Sequence, residues 1–234
     1  MSLLQKFALE YVLVVAVALL VVLDVAASAV LGHPHPHCHH LASISNPQVS
    51  GFYLAATYKN FAMPYLEDDH FITVVGCFGC LCSGLSRTFW GICADRIGHF
   101  QTMELTAYLF PIVMILYTLT VQSKLAFGIF VCTLYGLWGA SYCIMPTIAA
   151  FLFGEKHMGT NYGFIFLVFG LSCTLVINTC GVIGWSFGAL NYVFIVIGFI
   201  GAGLCSHIRY LTSKVKDEQV MRHHRATSSV GSMM

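Results

Sequence analysis

Long apolar runs separated by short polar breaks make up most of the chain. They cover residues 7–31, 71–94, 103–121, 125–153, 161–185 and 190–211, with a weaker run over 48–63. None shows the strict alternation of a half-buried strand, and the longer ones exceed the roughly 20 residues that a helix needs to cross a bilayer. The pattern therefore predicts an all-α polytopic membrane protein, a six-helix bundle with four domain-level pieces. These are an N-terminal apolar helix (1–32), an exposed linker (33–47), the membrane domain (48–211) and a polar tail (212–234). Residues 48–63 carry Lys59 near their end and are short for a span, so they suggest a half-helix or re-entrant piece.

Two readings fit residues 7–31. They make an uncleaved span interrupted by Glu10 and Asp24. They also fit a secretory signal, with Lys6 as its basic start and Ala27-Ser28-Ala29 as a small-residue cleavage site. Both readings place the chain after Gly32 on the outer side of the membrane. The positive-inside rule orients the rest. Arg96 with His99, Lys156 with His157, and Arg209 with the tail's Lys214, Lys216, Arg222 and Arg225 fall in alternate breaks. Glu67, Asp68, Asp69 and Lys124 fall in the others. The basic set is therefore cytoplasmic, and the six-helix count puts both termini inside. The tail is polar enough to be expected disordered.

Composition strengthens this assignment. The chain is 58% hydrophobic and only 9% charged, with mean hydropathy +0.79, where a soluble domain carries about 25% charged residues. A formal charge of +1 supplies no basic surface for a nucleic acid. Of the ten cysteines, only Cys38 lies outside the apolar runs. Cys77-x-x-Cys80-x-Cys82 has redox or metal spacing, but it lies in a glycine-rich apolar run where cysteine serves as a small hydrophobe. The segment His33-Pro-His35-Pro-His37-Cys38-His39-His40 has ligands for zinc or copper, and its prolines keep it extended. A flexible linker with adventitious metal affinity is the simpler account. Neither an HExxH nor a P-loop occurs, and nothing implies an enzyme or a cofactor.

Because charges at membrane depth are costly and usually functional, Arg87 stands out. It lies eight residues before Asp95, about 12 Å along a helix. Its planar guanidinium suits a carboxylate, so it is a candidate contact for an anionic substrate. It could equally be tied to Asp95 and neighbouring carbonyls as part of a gate. Gly91, Asp95, Arg96 and Gly98 form a short charged turn between two apolar runs. Asp95 sits where the helix dipole disfavours a carboxylate and needs a partner, whereas Glu104 is well placed near a helix start. Asn178, with Thr174 and Thr179, is polar and mid-run, suited to lining a cavity or to bonding between helices. Glycines recur at helical spacing and allow close backbone approach.

The string Gly91-x-x-x-Asp95-Arg96-x-Gly98 resembles the loop motif of the major facilitator superfamily, with His99 where a basic Arg or Lys is usual. Ser83-Gly-Leu-Ser-Arg87-Thr-Phe-Trp-Gly91 and residues 153–163 resemble its oxalate/formate-antiporter and monocarboxylate-transporter branch. The resemblance covers about residues 50 to 210 and implies the C-terminal half of a transporter. It implies alternating access, a small organic anion of monocarboxylate type, and coupling to protons or to exchange. It also implies either a fragment of a larger transporter or a chain needing a partner, a second half or another copy. A lysine expected within 161–185 is absent, which separates the chain from dicarboxylate carriers. A transport-inactive membrane interaction or regulatory subunit is the reading of a different class.

Overall fold

The computed structural model describes residues 46–153 and 186–203, together with positions 158, 159, 162, 163, 166, 170, 205, 206, 209 and 210. The segment 7–31, the cluster from His33 to His40 with Cys38, Asn178 and the tail 212–234 lie outside the described residues. The described residues are all helical apart from short breaks. The elements are α1 (Asn46–Leu66), α2 (Asp69–Ile97), α3 (His99–Leu119), α4 (Lys124–Phe153) and α5 (Phe187–Gly203). Three helices are long and apolar enough to cross a membrane: Asp69–Ile97, His99–Leu119 and the Lys124–Ile148 portion of α4. The chain is an all-α integral membrane protein.

The apolar runs locate α2, α3 and α4 to within a few residues at each end. α1 differs from expectation. It is a continuous helix of 21 residues, about 31 Å long at 1.5 Å per residue, rather than a half-helix. Pro64 falls inside its last turn without ending it. In the middle of α3, Pro111 is buried and Gly198 of α5 packs on it; a Cβ on that glycine would lie 3.1 Å from the proline ring. Neighbouring helices thus accommodate a proline that lacks its N–H.

The helices are held by backbone contact at small residues. The buried residues of α2 (Ile72, Val75, Gly76, Gly79, Ser83 and Ala94) follow helical spacing along one stripe. Gly79 lies under the Tyr135 ring of α4, and Gly76 receives Tyr58 of α1. Deeper along the same contact, a Cβ on Gly139 would come within 2.5 Å of the Ser83 carbonyl oxygen. The indole N–H of Trp90 donates to the Gly136 carbonyl at 3.2 Å. The apolar core continues through Phe61, Tyr117 and Phe127, whose rings meet at 5.2 and 5.9 Å. On the other side, Tyr53 of α1 stacks on Phe194 of α5 at 3.9 Å and donates to Asn191 Oδ1 at 2.8 Å.

Ion pairs close both ends. Between α1 and α2 the break is only Glu67 and Asp68. Asp68 Oδ1 accepts from the Phe71 N–H at 3.1 Å and caps α2, while Oδ2 receives Lys124 Nζ of α4 at 2.6 Å. Lys59 of α1 reaches Asp69 at 2.6 Å. At the opposite end α2 passes into α3 through Gly98 alone, whose φ of 110° suits a residue without a Cβ. Glu104 ties α3 to the helical residues beyond α5. It accepts from Ser206 Oγ at 2.6 Å and pairs with Arg209.

Two outcomes follow. Gly139→Ala forces α2 and α4 apart and is expected to cost about 1–3 kcal/mol by overpacking, seen as a lower thermal midpoint in detergent. The hydrogen bond from Lys124, then that from the Phe71 N–H, holds the Asp68 carboxyl below its ordinary range. A carboxylate with a depressed folded pKa adds stability above its unfolded pKa, and that stability is lost as pH falls through the folded value. Asp68→Asn keeps the cap but removes the charge. It should therefore lower the midpoint at neutral pH, and the difference from the parent should vanish in acid below the ordinary carboxylate range; a pH-independent difference would exclude this account.

Candidate functional site

Arg87 sits about five turns into α2, on the side flanking the buried stripe. It is exposed, and its guanidinium carbon lies 4.7 Å from the centroid of the Tyr142 ring on α4. The close approach of Gly139 to Ser83 and Ser86, one turn away on both helices, brings these side chains to the same level. Tyr142 lies within a run of aromatic rings. It meets Trp138 at 5.2 Å, and Trp138 meets Tyr135 at 5.9 Å and Phe52 of α1 at 5.3 Å. Phe166 joins Tyr142 at 5.5 Å and Tyr162 at 5.0 Å. An arginine over an aromatic face gains about 0.5–1 kcal/mol when exposed and more when desolvated. Among the described residues no ion pair engages its fork.

The ion pairs among the described residues are Lys59–Asp69, Asp95–His99, Lys124–Asp68 and Arg209–Glu104. Arg87 is in none of them. The gate reading, with Arg87 tied to Asp95, is not the arrangement observed. Asp95 instead faces His99 Nε2 at 3.9 Å, one helical turn on and across Gly98. At that distance and with Asp95 78% exposed, this is a weak through-solvent pair rather than a hydrogen bond. Arg96 is exposed at the end of α2. Gly91 packs toward the Cys143 sulfur, 3.3 Å from where a Cβ would stand. Thus Gly91 and Gly98 serve close packing and the turn, whereas Asp95 and Arg96 lie at the surface of the same helix end.

Sequence reasoning did not find Tyr142, Tyr162 or the Tyr53–Asn191 pair. An aromatic residue inside an apolar run gives no signal of what it faces. Asn191 is 1% exposed, and its Nδ2 has no hydrogen-bond partner among the described residues. No group of three or more His, Cys, Asp or Glu side chains suited to a metal occurs among the described residues.

An exposed cation on a membrane-length helix, backed by aromatic rings, fits a membrane protein that handles an anion. No family model matches the sequence. Over 85 residues the chain is 32% identical to the oxalate:formate antiporter of Oxalobacter formigenes, a stretch that is 36% of this chain and 20% of that protein. The match thus spans about a fifth of the relative's length. It supports a relationship to a transporter, which points away from an enzyme, and it does not resolve the branch.

Tyr142→Leu removes the ring under Arg87 while Tyr142→Phe keeps it. The leucine variant is expected to be less stable than the phenylalanine variant by about 0.5–1 kcal/mol, measured by unfolding in detergent micelles. Equal stability would show that the contact carries no weight.

Proposed function

We propose that the chain is a transporter-like protein of six membrane helices. It would carry a small organic anion of monocarboxylate type by alternating access, with proton coupling or exchange, together with a partner half or a second copy. The observation that carries this reading is Arg87: a cation on a spanning helix, held over Tyr142, without a carboxylate in ion-pair distance among the described residues. A guanidinium so held offers two parallel N–H donors to a carboxylate, a geometry that lysine cannot supply. The similarity to an antiporter and the resemblance of residues 83–98 to the superfamily motif agree with it. In this reading Gly91, Asp95, Arg96 and Gly98 belong to the gate, and Asn178 is a weaker candidate contact.

The second reading is a transport-inactive subunit. Uptake by the full chain reconstituted in liposomes separates the two. Saturable flux of a labelled monocarboxylate, reduced at least about tenfold in Arg87→Gln, is the expected outcome; the loss of one charged hydrogen bond of about 1.5–3 kcal/mol accounts for that size. Flux unchanged by Arg87→Gln would remove Arg87 from the site, and no flux at all would leave the subunit reading.

A further inference from the structure

The three cysteines of the Cys77-x-x-Cys80-x-Cys82 run do not share a face of α2. At about 100° per residue, Cys82 stands about 160° around the helix from Cys80 and about 140° from Cys77. Cys77 and Cys80 are exposed, whereas Cys82 is half-buried, on the side of α4. α2 and α4 run parallel, since Val75 meets Gly128, Gly79 meets Tyr135 and Ser83 meets Gly139. On one flank of this seam Ser86 lies against Gly136, and Trp90 donates to the Gly136 carbonyl. One turn back along both helices from Ser86 and Gly136 stand Cys82 and Cys132. Cys132 is half-buried too, and the two thiols are hydrogen-bonded to each other. Cys82 lies about 20 Å from either end of α2, so the pair is at mid-membrane depth.

Coordination number and charge decide what such a pair can hold. An isolated thiolate is costly in hydrocarbon, so thiol–disulfide exchange, which needs one, is disfavoured there. A soft cation changes this balance, because it binds thiolate and displaces the protons. Among the described residues no group of three or more His, Cys, Asp or Glu side chains suited to a metal occurs, so the four-ligand shell of a structural zinc is not formed around this pair. The cation must be content with two sulfurs. Two thiolates on a monovalent cation leave a net negative charge, which is expensive at membrane depth. On a divalent cation they make a neutral complex.

We propose that Cys82 and Cys132 form a two-thiolate site for a soft divalent cation, with mercuric mercury as the ion whose two-coordinate chemistry fits it. The ion enters lipid as neutral mercuric chloride. Both S–H bonds and both Hg–Cl bonds break, two Hg–S bonds form, and two equivalents of hydrogen chloride leave, with no change of oxidation state. The bridge staples α2 to α4 along the seam that holds them together. Arg87 lies five residues on and about 140° around α2 from Cys82, so the staple does not occupy the Arg87–Tyr142 site. The proposal does not rest on anion transport.

The test treats the full chain in lipid nanodiscs with mercuric chloride and then dialyses it against a monothiol, which strips singly held mercury. The parent should retain one mercury per chain more than Cys82→Ser or Cys132→Ser, and as much as Cys77→Ser. Cys82→Ala and Cys132→Ala should behave as the serine variants do, and the double variant should lose no more than either single one. Mercuric chloride should raise the thermal midpoint of the parent by several degrees and leave that of the Cys82 and Cys132 variants unmoved. Methylmercury chloride, with one open position, cannot bridge and should give no rise. Equal retention by the parent and either variant, or an equal rise with methylmercury chloride, would overturn the proposal.

Discussion

The contact of α2 with α4 is the constraint on which the rest depends. Lipid is as apolar as leucine, so hydrophobicity does not drive these helices together, and close backbone packing must. Gly79, Ser83, Gly136 and Gly139 let the two backbones touch, with Trp90 donating across the seam. Only because they touch does Tyr142 stand beneath Arg87. The same closeness leaves the large side chains of α2 on the outside, where lipid accepts them. The seam therefore supplies both the stability of the pair and the geometry of the site.

Polar groups in this bundle are few, and most are accounted for locally. Asp68 divides its two oxygens between capping α2 and holding Lys124. Glu104 is shared by Ser206 and Arg209. Tyr53 reaches Asn191 across the α1–α5 contact. Against this economy Arg87 is the exception, since its recorded neighbour is a ring rather than an anion. That contrast makes it the place where chemistry from outside the described helices is expected.

The sequence made some of this legible. A lone arginine in an apolar run of 24 residues cannot be missed, and the runs behind α2, α3 and α4 are long enough to bound the helices. The extent of α1 was hidden because Lys59 and Pro64 lower its apolar signal just where the helix continues. That Asp95 needs a partner was readable, but His99, and the looseness of that pair, were not. Tyr142 could not be singled out, being one of eleven tyrosines in a chain rich in aromatics. Its role comes from the rotation of α4 against α2, which packing decides.

The connections on either side of α2 have a mechanical consequence. Two residues separate it from α1, and one glycine separates it from α3. Neither joint holds enough slack for α2 to turn about its own axis while its neighbours stay still. A rotation of one residue's worth, 100°, would carry Arg87 off the Tyr142 ring and the Ser83 carbonyl out of the Gly139 notch. Any motion that reorients Arg87 must then move α1, α2 and α3 as one lever. The longer joint lies elsewhere, in residues 120–123 between α3 and α4.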